Sequence, residues 1–383
     1  MPERLLERLA ERLGRVLEIR EEPPPAPGHS EAYRRLLGSG LVHAVCGRRD
    51  EAIRDLTAAA RLRTDDTSLY LVLGHLQRLK GRTERAVRLH QTLLMRTDLD
   101  RQGRVAALAA LALDYHGAGL RERALETLQE ALRADPREPT ALELLVHLHE
   151  AVGDWKTALQ FEERLLRAQP GRSRLPSAFL HYEIGCRLDE GGQAGRAARQ
   201  LHRAIKIHAG VVPAYVRLGD LHQRGGHADR ALLYWERMVD RHPRFAHLVF
   251  VRLESLYATL NLGNKLIDVC RRLAAADPND WRSRLYLAEE AARRGLEDES
   301  ARWALEALQA GPRALAVHRA FWRIAAPQGS FPPRALRDFL KATSGPGAGD
   351  DPHLCTSCRC RVSELLWRCP QCHAWASFNE DRG

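Results

Sequence analysis

Lysine is scarce in this chain. Lys80, Lys156, Lys206, Lys265 and Lys341 are its five lysines among 59 basic residues, and the rest are arginine. Aromatic residues make up only 6%. No run of about 18 apolar residues occurs, so no transmembrane helix or membrane anchor is expected. The first twenty residues carry charge throughout and lack a small-residue cleavage site, so they do not read as a secretory signal. The expectation is a soluble, cytoplasmic protein.

Catalytic signatures are missing as well. His147-Leu148-His149-Glu150 lacks the second histidine of a zinc-protease helix because position 153 is glycine, and it reads as helix surface. Gly38-Ser39-Gly40 lacks the third glycine of a dinucleotide loop. There is no P-loop, no nucleophile elbow and no triad whose partners can be paired. An enzyme with a small-molecule substrate is not expected.

What fills the 383 residues instead is Ala, Leu, Arg and Glu, a composition that favours helices. The net charge of +10 allows nucleic acid, an anionic membrane or an acidic protein as partner. Arginine and alanine enrichment together also follow from a GC-rich genome, with no partner implied.

A glycine recurs at Gly47, Gly81, Gly119, Gly153, Gly192, Gly226, Gly263 and Gly295, at intervals of 34, 38, 34, 39, 34, 37 and 32 residues. Thirty-four is the tetratricopeptide period. A small residue lies seven positions earlier in most units (Gly40, Gly74, Ala112, Gly185, Gly219, Ala288), and an alanine five positions later (Ala52, Ala86, Ala124, Ala158, Ala197, Ala231). Small residues let paired helices approach, glycine ends the first helix, and Pro136, Pro170, Pro243 and Pro312 stop the second. The seventh unit departs, with Asp268 where alanine is expected, and helices near 314–326 and 334–343 read as a divergent cap.

The expected fold is all-α: a tetratricopeptide superhelical solenoid with a small C-terminal rubredoxin-like or zinc-ribbon module. Residues 1–20 form an amphipathic helix, 21–30 a Pro-rich linker, 31–343 about nine repeats, 344–353 a second linker and 354–378 the metal-binding knuckle. Such arrays bind proteins in their groove. The positions facing a carboxylate clamp (Leu41, His75, Leu113, His147, Cys186, Asp220, Tyr257, Glu289) include no asparagine, which disfavours the chaperone-tail type of partner.

Five of the eight cysteines cluster between Cys355 and Cys372. Cys46, Cys186 and Cys270 stand alone in apolar context and read as small buried hydrophobes. Cys355, Cys358, Cys369 and Cys372 form two C-x-x-C hooks, the ligand spacing of a closed tetrathiolate site for zinc, with iron as the alternative. Cys360 reads as a spare thiol, His373 as unneeded by a filled site, and Trp367 and Trp375 as packing residues against the knuckle or the last repeats. A nucleic-acid binder using the arginine excess and the zinc ribbon is the alternative function.

Several phrases carry a family likeness: Gly81-Arg-Thr-Glu-Arg-Ala-Val-Arg-Leu-His90-Gln91, Asp154-Trp155-Lys156-Thr-Ala158 and Trp367-Arg-Cys369-Pro-Gln-Cys372-His-Ala-Trp375. Through these and Leu113-Asp-Tyr115 before Ala118-Gly119-Leu120, the chain resembles the lipopolysaccharide assembly protein B family from about residue 31 to 377. The resemblance implies metal ligands at Cys355, Cys358, Cys369 and Cys372. It implies a regulatory adapter on the cytoplasmic side of the inner membrane that brings the deacetylase committing lipid A synthesis to a membrane-anchored AAA+ protease. Peripheral attachment at the inner membrane follows as an expectation. The family's type members begin with a transmembrane helix, where this chain has the charged stretch Met1–Arg20.

Overall fold

Each helical hairpin turns on one residue in left-handed backbone, and that residue sets the repeat. Gly47, Gly81, Gly119, Gly153, Gly192, Gly226 and Gly295 all have φ between 72° and 77°. At every one the next amide reaches back over the turn, as in Arg82 N–H to Gln77 O at 2.9 Å and His227 N–H to His222 O at 2.8 Å. These are Schellman closures, which glycine adopts without a Cβ penalty. The computed structural model describes residues 27–312, 314–324 and 353–380. The stretches read as an N-terminal helix at 1–20, as a helix at 334–343 and as a linker from 344 to 352 lie outside them.

The described residues fall into two compact units, divided between Ser173 and Arg174. The first holds four hairpins: α1 (Pro27–Val45) with α2 (Arg49–Leu62), α3 (Thr67–Leu79) with α4 (Thr83–Leu94), α5 (Arg101–Gly117) with α6 (Arg121–Ala134), and α7 (Pro139–Ala151) with α8 (Trp155–Ala168). Helix α1 starts inside the stretch read as a linker. In the second unit α9 (Leu175–Glu190) pairs with α10 (Ala194–Ile207), and α11 (Val212–Arg224) with α12 (Ala228–Arg241). A 3-10 segment (Pro243–Val249) then leads into α13 (Phe250–Thr259), which pairs with α14 (Lys265–Ala276). Helices α15 (Trp281–Arg293) and α16 (Glu297–Ala310) form the next hairpin, followed by α17 (Leu315–Ile324). Three short strands, β1 (His353–Cys355), β2 (Arg361–Val362) and β3 (Phe378–Glu380), make an antiparallel sheet in the order β2-β1-β3. The fold is a tetratricopeptide solenoid with a small C-terminal sheet module.

Packing inside a hairpin follows the sequence period. The alanine five residues after the turn is fully buried at Ala52, Ala86, Ala124, Ala158, Ala197 and Ala231. The residue nine after the turn lies over the small residue seven before it. A Cβ on Gly74 would collide with the His90 ring, and one on Gly219 with the Trp235 indole. That is why these sites are glycine: the partner is too large for alanine to fit.

The seventh unit corrects the glycine count. Gly263 is not the turn residue; Asn261 is, with φ 56° and a 2.8 Å closure from Leu262 N–H to Tyr257 O. Asparagine tolerates this region because its short polar side chain bonds locally. Counted from Asn261, the spacing to Gly226 is 35 and to Gly295 is 34. The buried residue five after the turn is then Leu266, and Asp268 is no anomaly. We expect Asn261→Gly to be neutral or slightly stabilising and Asn261→Val to cost about 1–2 kcal/mol by thermal unfolding.

Consecutive first helices are laced by arginine–carboxylate pairs. Arg78 reaches Asp114 at 2.5 Å, Arg217 and Arg224 converge on Asp189 at 2.8 and 2.7 Å, and Arg252 holds Asp220 at 2.6 Å. Arg293 binds Glu254 at 2.6 Å and Arg323 binds Glu289 at 2.8 Å. Other arginines cap helix carbonyls, as Arg101 does at Ala134 O (2.8 Å) and Arg284 at Ala274 O (2.7 Å). Part of the basic excess is therefore structural.

Two further readings are corrected. His147-Leu148-His149-Glu150 is not surface: Leu148 and Glu150 are buried, and Glu150 faces His147 at 3.2 Å, because α7 packs on both neighbours. Of the single thiols only Cys270 is buried; Cys186 is partly so, and Cys46 is exposed in the turn after α1, where no helix covers it.

Burial, helped by the Arg78 charge, lowers His75 to about 4. The unfolded chain, with histidine near 6.5, then binds the extra proton between these values, so stability falls as pH drops through that window. We expect this loss to reach roughly 3 kcal/mol by pH 4, and His75→Gln to remove that share of the pH dependence in urea titrations.

Candidate metal centre

The C-terminal module has too little apolar material to fold on packing alone: its buried apolar residues among those described are Cys355, Cys369 and Phe378, backed by partly buried neighbours. What organises it is a pair of matching hooks. In the first, Cys355 N–H donates to Cys360 O at 2.9 Å and Arg359 N–H to Cys355 O at 2.9 Å; in the second, Cys369 N–H donates to Ala374 O at 2.9 Å and His373 N–H to Cys369 O at 3.0 Å. The residue after each second cysteine is left-handed, Arg359 at φ 63° and His373 at φ 57°. So Cys360 matches Ala374, and His373 matches Arg359. Both contribute a backbone position of the hook.

The hooks bring the Sγ atoms of Cys355, Cys358, Cys369 and Cys372 within 4.8 Å of one another. Cys355 to Cys372 and Cys358 to Cys369 are each 3.6 Å apart. A tetrahedral zinc with bonds of about 2.3 Å needs sulfur edges of about 3.8 Å, so the cluster could hold a metal ion. Burial pushes the Cys355 thiol up, but the Ser377 hydroxyl at 3.2 Å and the amides of Cys358 and Ser357 outweigh it, and the net shift favours the thiolate. Four thiolates leave no open coordination position, so a bound metal would cross-link the hooks rather than meet a substrate.

The two tryptophans hold the module on the solenoid. The Trp375 ring stacks on Phe179 of α9 at 4.7 Å and 11°, and the Arg368 guanidinium lies over the same ring at 5.3 Å. Trp367 packs against Phe245 of the 3-10 segment at 5.4 Å, beside the apolar clusters of α9 to α15. Arg244 donates to Asn379 Oδ1 at 2.8 Å. The packing role expected for both rings holds, but the surface they meet is α9 and the 3-10 segment. Nothing local in the sequence marked Phe179, Phe245 or Asn379, since each meets its partner more than a hundred residues away.

Trp375→Ala is expected to keep the cysteine geometry while weakening docking by about 1–3 kcal/mol, the worth of a stacked, half-buried indole. Faster amide exchange around Phe179 would report it; unchanged exchange would show that the stack does not hold the module.

A helical-hairpin solenoid laced between first helices, carrying a docked four-cysteine module, defines a tetratricopeptide-repeat protein with a C-terminal metal-type knuckle. The family model described as Tetratricopeptide repeat matches residues 109–173 and 216–280, and a second of that description matches 68–105. The chain is 22% identical over 351 residues to lipopolysaccharide assembly protein B of Escherichia coli (strain K12), covering 90% of this chain and 89% of that one. The protein of the same name from Haemophilus influenzae is 26% identical over 316 residues, 80% of this chain and 78% of the relative. Among solved structures, a tetratricopeptide repeat protein from Parabacteroides merdae is 16% identical, with TM-score 0.38, over 77% of this chain and 99% of that one. Over most of its length the chain is similar to proteins named lipopolysaccharide assembly protein B.

Proposed function

We propose that this chain is a non-enzymatic adapter acting in lipopolysaccharide assembly. It regulates lipid A synthesis by bridging a biosynthetic deacetylase and a membrane AAA+ protease, working in the cytoplasm at the inner-membrane surface. The observation that carries the reading is the docked module: its sulfur cluster has the closed form of a structural site, and its tryptophans tie it to repeats of a protein-binding class. Cys355, Cys358, Cys369 and Cys372 would hold the metal, zinc or iron, as a soft tetrathiolate. The arginine ladders weigh against nucleic acid, since they commit much of the positive charge internally.

Cross-linking in the native host followed by purification tests the proposal. Recovery of the deacetylase and the protease supports it. Recovery of ribosomes or nucleic acid alone overturns it.

A further inference from the structure

Arg199, Arg203 and Arg230, like many other exposed arginines, stand outside the ion-pair ladders, but these three share one place on the surface. All three are exposed, and none forms an ion pair among the described residues. They stand around one cleft of about 730 Å³, walled by α10 and α12 and floored by α11. No carboxylate lines it. Gln200, His202 and His222 add neutral polar groups to the lining, and Leu233, 48% exposed, forms its apolar part with Ala198, Leu218 and Tyr234. Tyr234 is held flat against His222, with centroids 5.5 Å apart and planes 3° from parallel.

Three unpaired guanidinium groups around an aliphatic floor suit carboxylates with an apolar side chain between them. Guanidinium takes a carboxylate in two parallel hydrogen bonds, and an apolar centre inside a polar rim is the usual anatomy of a protein contact. A nucleic-acid strand would need a longer row of cations and free aromatic faces. Here the cations number three and the tyrosine face is already taken by His222. Helix α10, with 14 residues, spans about 21 Å, enough to seat a partner helix of about twelve residues, which is about 18 Å long.

We propose that the cleft between α10 and α12 receives an acidic segment of a protein partner: Asp and Glu residues flanking an aliphatic anchor that inserts beside Leu233. This rests on the adapter reading and names the chemistry of one of its contacts.

The probe is a fluorescein-labelled peptide of about twelve residues with glutamates on one helical face and two leucines among them. It is titrated against the full chain by anisotropy at low salt. Binding is expected, to weaken about tenfold or more in the triple variant Arg199→Glu, Arg203→Glu, Arg230→Glu and several-fold in Leu233→Ser, and to vanish for the glutamine version of the peptide. All four positions are exposed, so far-ultraviolet circular dichroism should stay unchanged. No binding, equal binding to the triple variant, or binding of a single-stranded oligonucleotide in place of the peptide would each overturn the proposal. The native cross-linking experiment separates the two levels. Partners captured equally by wild type and triple variant leave the adapter standing and remove the cleft; peptide binding without any captured partner does the reverse.

Discussion

Removing the metal is expected to release the C-terminal module from the solenoid. Strands of two or three residues around one buried phenylalanine cannot hold a fold unaided, and a tetrathiolate metal can contribute on the order of 10 kcal/mol. Purified wild type should carry about one zinc or iron per chain, and Cys369→Ser with Cys372→Ser should carry none. In the metal-free protein Trp367 and Trp375 leave Phe245 and Phe179, so tryptophan emission should shift to the red and trypsin should cut after Arg361 and Arg368. Helical content should hardly change, because the repeats do not depend on the module for their backbone hydrogen bonds. Metal-free wild type with the same emission and the same trypsin resistance would refute the assignment.

The second large effect lies in the first unit, where Asp114 is fully buried between α3, α4 and α5. Its carboxylate meets Arg78 Nη1 and His90 Nδ1, each at 2.5 Å, and Arg78 Nη2 reaches His75 Nδ1 at 2.7 Å. One carboxylate thus holds two side chains of the preceding repeat, and Arg78 passes the contact on to His75. Asp114→Ala should cost about 3–5 kcal/mol, because it strands the Arg78 charge in a half-closed site. Amide exchange should speed up in α3 to α5 and stay at wild-type rates in the second unit, since repeat arrays open locally. Replacing His90 and Asp114 together by leucine, with Arg78→Met, should regain much of the loss. Equal protection in Asp114→Ala and wild type would show that the network is incidental.

The hairpins were legible because their requirements are local. A left-handed turn, a small residue and an alanine sit at fixed offsets, and glycine advertises the first of these. The seventh unit was misplaced for the same reason: Asn261 meets the conformational need without being glycine, and the nearby Gly263 drew the register two residues away. The four cysteines were legible from spacing alone, as two hooks of one pattern. The matching left-handed positions at Arg359 and His373 were not, since neither residue type signals that backbone. Cys46 misled because its neighbours Val45 and Val42 are apolar yet exposed at a helix end. Buried polar groups such as Asp114 and Glu150 were hidden too. Only the helix facing them explains why a charged residue stands at a core position.

The docked module has a mechanical consequence for the second unit. A solenoid normally frays from its free end, one hairpin at a time, because each repeat touches only its neighbours. Here the chain runs out through α17 and comes back to α9 and the 3-10 segment, where Trp375 and Trp367 fasten it. The repeats from α13 to α17 therefore lie in a stretch of chain that the clasp closes into a loop, so unfolding them gains less chain entropy than fraying from a free end would. Pulling on the C-terminus would load the clasp before it loads any hairpin.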